Sequence, residues 1–151
     1  MQKLEALSQF LIGKAYTAIN QFDSWTEDTK LHPLFKDDGE GLTLFEMEYT
    51  AVFAWTDLNF NIKRPEELFA NVLVWLYEHD SERVERGLDH PDFDVDVKDN
   101  TVADVELKLT FIERVGAVPD PEGAIEINGE NYRLDTVPVW IATEGEVIAD
   151  E

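Results

Sequence analysis

Along this chain the spacing of hydrophobic positions switches repeatedly between helical and strand periods. Leu4, Leu7, Leu11, Ala15, Ala18, Ile19 and Phe22 recur at helical spacing, which predicts an amphipathic helix over residues 3–22. A polar connection with a short strand near residues 31–35 is expected next. Strict alternation follows over residues 43–56. There Phe45, Met47, Tyr49, Ala51, Phe53 and Trp55 share one face, while Glu46, Glu48 and Thr50 share the other. Val52 and Ala54 make the far end apolar on both faces, as expected where something covers the second side.

Pro65 suits the first turn of a helix, where its missing N–H costs nothing, and Glu66 and Glu67 complement the positive end of the dipole. The predicted helix spans residues 65–79, with Leu68, Phe69, Val72, Leu73 and Leu76 as its buried stripe. Strands are predicted over 92–98 and 104–115, and a loop at Pro119, Pro121 and Gly123. Asn128-Gly129 between two alternating segments signals a type I′ hairpin turn. The order predicts an α+β fold, an antiparallel sheet with two α-helices packed on one face. One domain is expected over residues 1–142, followed by an acidic C-terminal tail at 143–151.

The stretch PDFDVDVKDNTVADVELK, residues 91–108, admits three readings. As a calcium loop starting at Asp92 it would need Gly at the sixth position and Glu at the twelfth, where Val97 and Ala103 stand. As a PD-(D/E)xK nuclease motif it would pair Asp92 with Glu106 and Lys108. As a hairpin it must keep Phe93, Val95 and Val97 on the face of Val105, Leu107, Leu109 and Phe111, because a one-residue slip inverts a strand. A three-residue loop opposes Asp96 to Asp104 and Asp94 to Glu106. A five-residue loop, Asp99 to Ala103, opposes Lys98 to Asp104 and Asp94 to Lys108. Cross-strand pairs contribute roughly 0.2–1 kcal/mol each, so the five-residue loop is expected. It would place Asp92 roughly 13 Å from the position of Glu106 at strand rise, too far to share one metal ion. A substitute trio of Asp96, Glu106 and Lys108 stays geometrically open, but the hairpin is preferred and no catalytic residue, metal or cofactor is expected.

Charge sharpens this picture. The 151 residues carry 33 Asp and Glu against 12 Lys and Arg, a formal net charge of −21. Nucleic-acid binding through counterion release needs a basic stripe, and the nearest approach is the pair Lys63-Arg64. A basic protein partner, or repulsion of DNA, fits the sign better. The absence of cysteine excludes a disulfide framework, and no apolar run reaches the roughly 18 residues of a membrane span. The beginning, MQKLEALSQF, lacks the apolar core of a signal peptide. His79-Asp80 and Asp89-His90 could pair as base and orienter, yet no nucleophile elbow accompanies them. The four tryptophans (Trp25, Trp55, Trp75 and Trp140) read as core or interface.

Three segments in order carry a resemblance. Phe45 to Thr50 continuing to Thr56-Asp57, Pro65 with Trp75-Leu76-Tyr77-Glu78-His79, and FDVDVKDNTVADVELKLTFIERV at 93–115 resemble the tail completion protein R family of peduoviruses, temperate phages with contractile tails. The resemblance covers residues 43–118, about half the chain, and the initial helix matches in position more than in sequence. It implies a tail terminator-like virion protein without catalytic residues or cofactors. It further implies a homo-oligomeric ring, six subunits by analogy, capping the head-proximal end of the tail tube and sheath beneath the head–tail connector. DNA would pass through such a ring without specific binding, and an acidic lumen would suit that passage. The protein would be found in the virion tail, and in the host cytoplasm during assembly. Ile125 and Ile127, on a hairpin expected to project beyond the proline loop, are the candidate subunit-interface residues. The competing readings are the metal-dependent nuclease and an acidic adaptor for a basic partner.

Overall fold

The computed structural model describes residues 1–135. Its elements are α1 (Gln2–Lys14), one 3-10 turn (Ile19–Gln21), β1 (Phe22–Asp37), β2 (Leu42–Asn59), α2 (Pro65–His79), α3 (Glu82–Glu85), β3 (Asp92–Val97), β4 (Val102–Pro119), β5 (Ile125–Ile127) and β6 (Glu130–Asp135). These six strands join one antiparallel sheet in the order β1-β2-β4-β6-β5, and β3 lies beside β4 as well. The α+β expectation of an antiparallel sheet with helices packed against it holds. The acidic tail expected from residue 143 lies outside the described residues.

One core joins the layers. Leu7 and Leu11 of α1 and Leu68, Val72, Trp75 and Leu76 of α2 meet Tyr49, Ala51, Phe53 and Trp55 of β2 and Val105, Leu107 and Phe111 of β4. The predicted inner face of residues 43–56 is thus buried from Tyr49 to Trp55. Val52 is fully buried on the opposite face. Helix α2 has the predicted bounds, with Pro65 at its first position and two glutamates in its first turn. Its stripe is rotated slightly from the prediction: Trp75 is buried and Leu73 is 53% exposed.

Two elements differ from expectation. Helix α1 ends at Lys14, eight residues early, because Ala15 adopts a left-handed conformation (φ 53°) and its N–H bonds the Ile12 carbonyl. Left-handed geometry closes a helix, and Ile19 beyond it is 70% exposed. The polar connection is instead the 16-residue strand β1. Its register against β2 shifts between Glu27 and Lys30 and again between Pro33 and Lys36, with Asp28 and Phe35 at positive φ. Such bulges break the period-two signal and bend the strand.

Close backbone approaches require glycine at two turns. A Cβ on Gly123 would stand 2.0 Å from the Tyr132 carbonyl oxygen, and one on Gly41 would stand 2.3 Å from that of Ala117. The Asn128-Gly129 turn has φ values of 54° and 85°, the two positive angles of a type I′ hairpin. The β5–β6 hairpin does not stand off the domain. Four β6 residues pair with Gly116 to Pro119 of β4, so the hairpin extends the sheet.

Candidate functional site

The acidic hairpin β3–β4 adopts the three-residue loop. Asp92 faces Lys108, Asp94 faces Glu106 and Asp96 faces Asp104, which corrects the expected five-residue register. The turn decides it. Lys98 N–H donates to the Val102 carbonyl at 3.0 Å, and Asp99 Oδ1 accepts from the N–H groups of Thr101 (2.7 Å) and Val102 (2.9 Å). These bonds hold the Asp99 carboxyl below the usual carboxylate range. Repulsion between the paired carboxylates is offset nearby. Lys98 Nζ lies 2.6 Å from Asp57 and 3.5 Å from Asp104, and Asp104 also accepts the Asp57 N–H at 3.0 Å.

The corrected register removes the distance argument against a shared metal, because Asp92 is one diagonal step from Glu106. Side-chain geometry takes its place. Among the described residues no three His, Asp or Glu side chains converge as a ligand set, and Lys108 Nζ lies 3.8 Å from Glu27. The histidines are engaged singly. His79 stacks on Trp75 with centroids 4.8 Å apart and bonds the Trp75 carbonyl through Nδ1 at 3.0 Å. His32 Nε2 is 3.4 Å from Glu48. His90 lines a surface groove. Asp80 does not orient His79.

Asp80 instead centres a buried ionic cluster that the sequence did not disclose. Its carboxylate receives Lys3 Nζ at 2.7 Å and Arg83 Nη1 at 2.9 Å. The same cations donate to the carbonyls of Ile112 (2.8 Å) and Thr110 (3.0 Å) on β4. Among the described residues those carbonyls lie on the β4 edge between the stretches paired with β3 and β6, and side chains satisfy them as acceptors. Glu113, at the next inward position after Phe111, accepts the N–H groups of Gln2 and Lys3, each at 2.9 Å, and so caps α1. Tyr49 hydroxyl also donates to Glu113 and accepts the Leu4 N–H. Burial, and then the adjacent carboxylate, push the Tyr49 hydroxyl well above its ordinary value. An acidic residue on the core parity of a strand was the available signal for this cap. For the ionic cluster the only hint was Asp80 three residues before Arg83.

What the surface offers is contact area. Leu73, Val74, Tyr77 and Val84 form an apolar ridge on α2 and α3, with Tyr77 and Val84 about 80% exposed. Beside it lies a groove of about 400 Å³ lined by Leu76, Leu88, His90 and Pro91. An exposed patch of this kind marks protein contact more often than catalysis. Among the described residues, strands β1 and β5 end the sheet and leave edges to offer. Ile125 and Ile127 lie half-buried on β5, at the tip of the sheet.

These features describe an acidic α+β assembly protein, presenting strand edges and an apolar ridge. The family model described as P2 phage tail completion protein R (GpR) matches residues 1–136, and the chain belongs to that family. It thereby has a structural role in a phage tail. It is also 34% identical over 146 residues to a protein of Haemophilus phage HP1 (strain HP1c1), described as an uncharacterized 19.2 kDa protein in the rep-hol intergenic region. That match covers 95% of this chain and 88% of the relative. No solved structure matches. Among the described residues, no helix is long and apolar enough to cross a membrane.

Proposed function

We propose that this protein finishes the tail of a contractile-tailed phage as a ring, six subunits by analogy, at the head-proximal end of the tube and sheath. Family membership is the observation that carries the reading. The described residues supply what such a part needs: a hydrophobic core, strand edges at β1 and β5, and an exposed apolar ridge. Its partners are copies of itself, the tube and sheath proteins, and the connector of the head. The net charge of −21 suits a lumen through which DNA slides without adhering. The protein is in the host cytoplasm during assembly and ends in the virion tail. The protein performs no catalysis and needs no cofactor.

Ring closure requires a repeated head-to-tail contact. We assign one side of it to the tip of the sheet, where Ile125 and Ile127 on the terminal strand β5 are only half-buried by their own chain. Electron micrographs of lysates carrying a nonsense mutation test the tail role. Normal heads beside tails of wrong length, or tails that fail to join heads, are expected; malformed heads beside normal free tails would refute it. Ile125→Asp with Ile127→Asp is expected to abolish the ring in light scattering while circular dichroism stays that of a folded monomer. An intact ring would remove the hairpin from the contact.

A further inference from the structure

Residues 29–36 of this acidic chain read TKLHPLFK, with two lysines, one histidine and no carboxylate. They form the outer half of β1. Pairing with β2, from Lys30 opposite Glu48 to Lys36 opposite Thr43, holds this arm on the edge of the described sheet. Leu31 is 56% exposed and Phe35 65%. Phe35 sits in the bulge between Pro33 and Lys36 at φ 50°, an outlier for a bulky residue. Among the described residues Lys30 and Lys36 make no ion pair. The apolar ridge of α2 and α3 has the opposite surroundings. Helix α2 contains no lysine or arginine. Glu78, Glu85 and Asp89 are exposed, and each directly follows a residue that lines the groove beside the ridge: Tyr77, Val84 and Leu88. The cations of this region are turned elsewhere, Arg83 to Asp80 and Arg86 to Glu46.

We infer that the arm of one copy seats on the ridge of the next, with Phe35 at the groove and Lys30 and Lys36 against Glu78, Glu85 and Asp89. The two surfaces lie on opposite edges of the sheet. Strand β1 ends it on one side. On the other, Arg83 and Lys3 take the Thr110 and Ile112 carbonyls on the edge of β4 turned away from β2. Strands β2 and β4 thus stand between the arm and the ridge of one chain, and a second copy brings such surfaces together. Charge selects how the copies meet. Ridge against ridge would oppose carboxylates, and arm against arm would oppose lysines, so like charge disfavours a two-fold contact through either surface. Arm against ridge joins opposite signs and repeats head to tail, as a closed ring requires. The contact rests on the ring reading and supplies its second side. Ile125 and Ile127 stand on β5, at the end of the strand order opposite β1, and so share the ridge's edge.

Charge exchange in the full chain tests this. Lys30→Glu with Lys36→Glu, and separately Glu78→Lys with Glu85→Lys, should each raise the protein concentration at which light scattering detects assembly by at least about tenfold. Mixed in equal amounts, the two variants should assemble together, because every arm then meets a ridge of opposite sign. All four substitutions in one chain should likewise restore assembly to within about threefold of the parent concentration. These side chains are exposed, so circular dichroism should match the parent throughout. Loss of assembly that neither the mixture nor the fourfold variant recovers would overturn the proposal. A ring that forms at the parent concentration in both reversed variants would overturn this contact and leave the ring reading standing. A parent chain that stays monomeric at every concentration would overturn both.

Discussion

Phe53 and Trp75 show what a single side chain contributes here. Both are buried in one core, Phe53 on the strand face predicted for it and Trp75 just beside the predicted helical stripe. Deleting a buried aromatic typically costs about 3–5 kcal/mol, a large part of a marginal stability of about 5–15 kcal/mol. Phe53→Ala and Trp75→Ala should each shift the denaturant midpoint by that order, whereas Leu73→Ala on the exposed face should shift it little. Glu46 works differently. Arg86 bonds it at 2.7 and 3.2 Å and Arg114 at 3.2 Å. The Arg86 hydrogen bond above all holds its carboxyl below the ordinary glutamate range. A carboxyl lowered in the folded state stabilises fully above its unfolded pKa, and that stabilisation is lost as pH falls through the folded one. Melting of Glu46→Gln against the parent should therefore show a deficit at pH 7 that closes as pH falls below about 4.

Elements are legible where local chemistry and tertiary packing agree. Pro65, two glutamates and a clear stripe place α2 to the residue, and unbroken alternation places the core of β2. Strand β1 is hidden because its two bulges break the period that would reveal it. Helix α1 reads too long because Ala15, rather than glycine, takes the left-handed stop. For the β3–β4 hairpin, cross-strand charge pairing proves the smaller effect, and the Asp99 turn sets the register. The ionic cluster is beyond reach, since Lys3 and Asp80 lie 77 positions apart. The interface candidates Ile125 and Ile127 follow from the Asn128-Gly129 turn, and the structure places them at the sheet tip. Their hairpin depends on Gly123. Gly123→Ala would drive a Cβ into the Tyr132 carbonyl and should detach β5–β6 from the sheet. Fast hydrogen exchange across residues 125–134, with the core amides unchanged, is the expected readout.

At the scale of the whole molecule, one buried cluster ties three parts of the fold together. Asp80 closes α2, Lys3 comes from α1, and both cations reach the carbonyls of β4. Removing one partner of a buried ion pair leaves an uncompensated charge and typically costs about 3–5 kcal/mol. Asp80→Ala should lose stability of that order, with two cations left facing each other, and the loss should appear in both helices at once by hydrogen exchange. A change confined to α2 would show that the cluster does not couple the elements.

The same pinning gives the chain an unusual first turn. Helix ends ordinarily fray. Here Gln2 and Lys3 are held by Glu113 through their backbone and, for Lys3, by Asp80 and Ile112 through its side chain. The first turn of α1 should thus be among the last parts to let go when the protein unfolds. Lys3→Ala would act as a core lesion, freeing the Asp80 carboxylate and the Ile112 carbonyl at once.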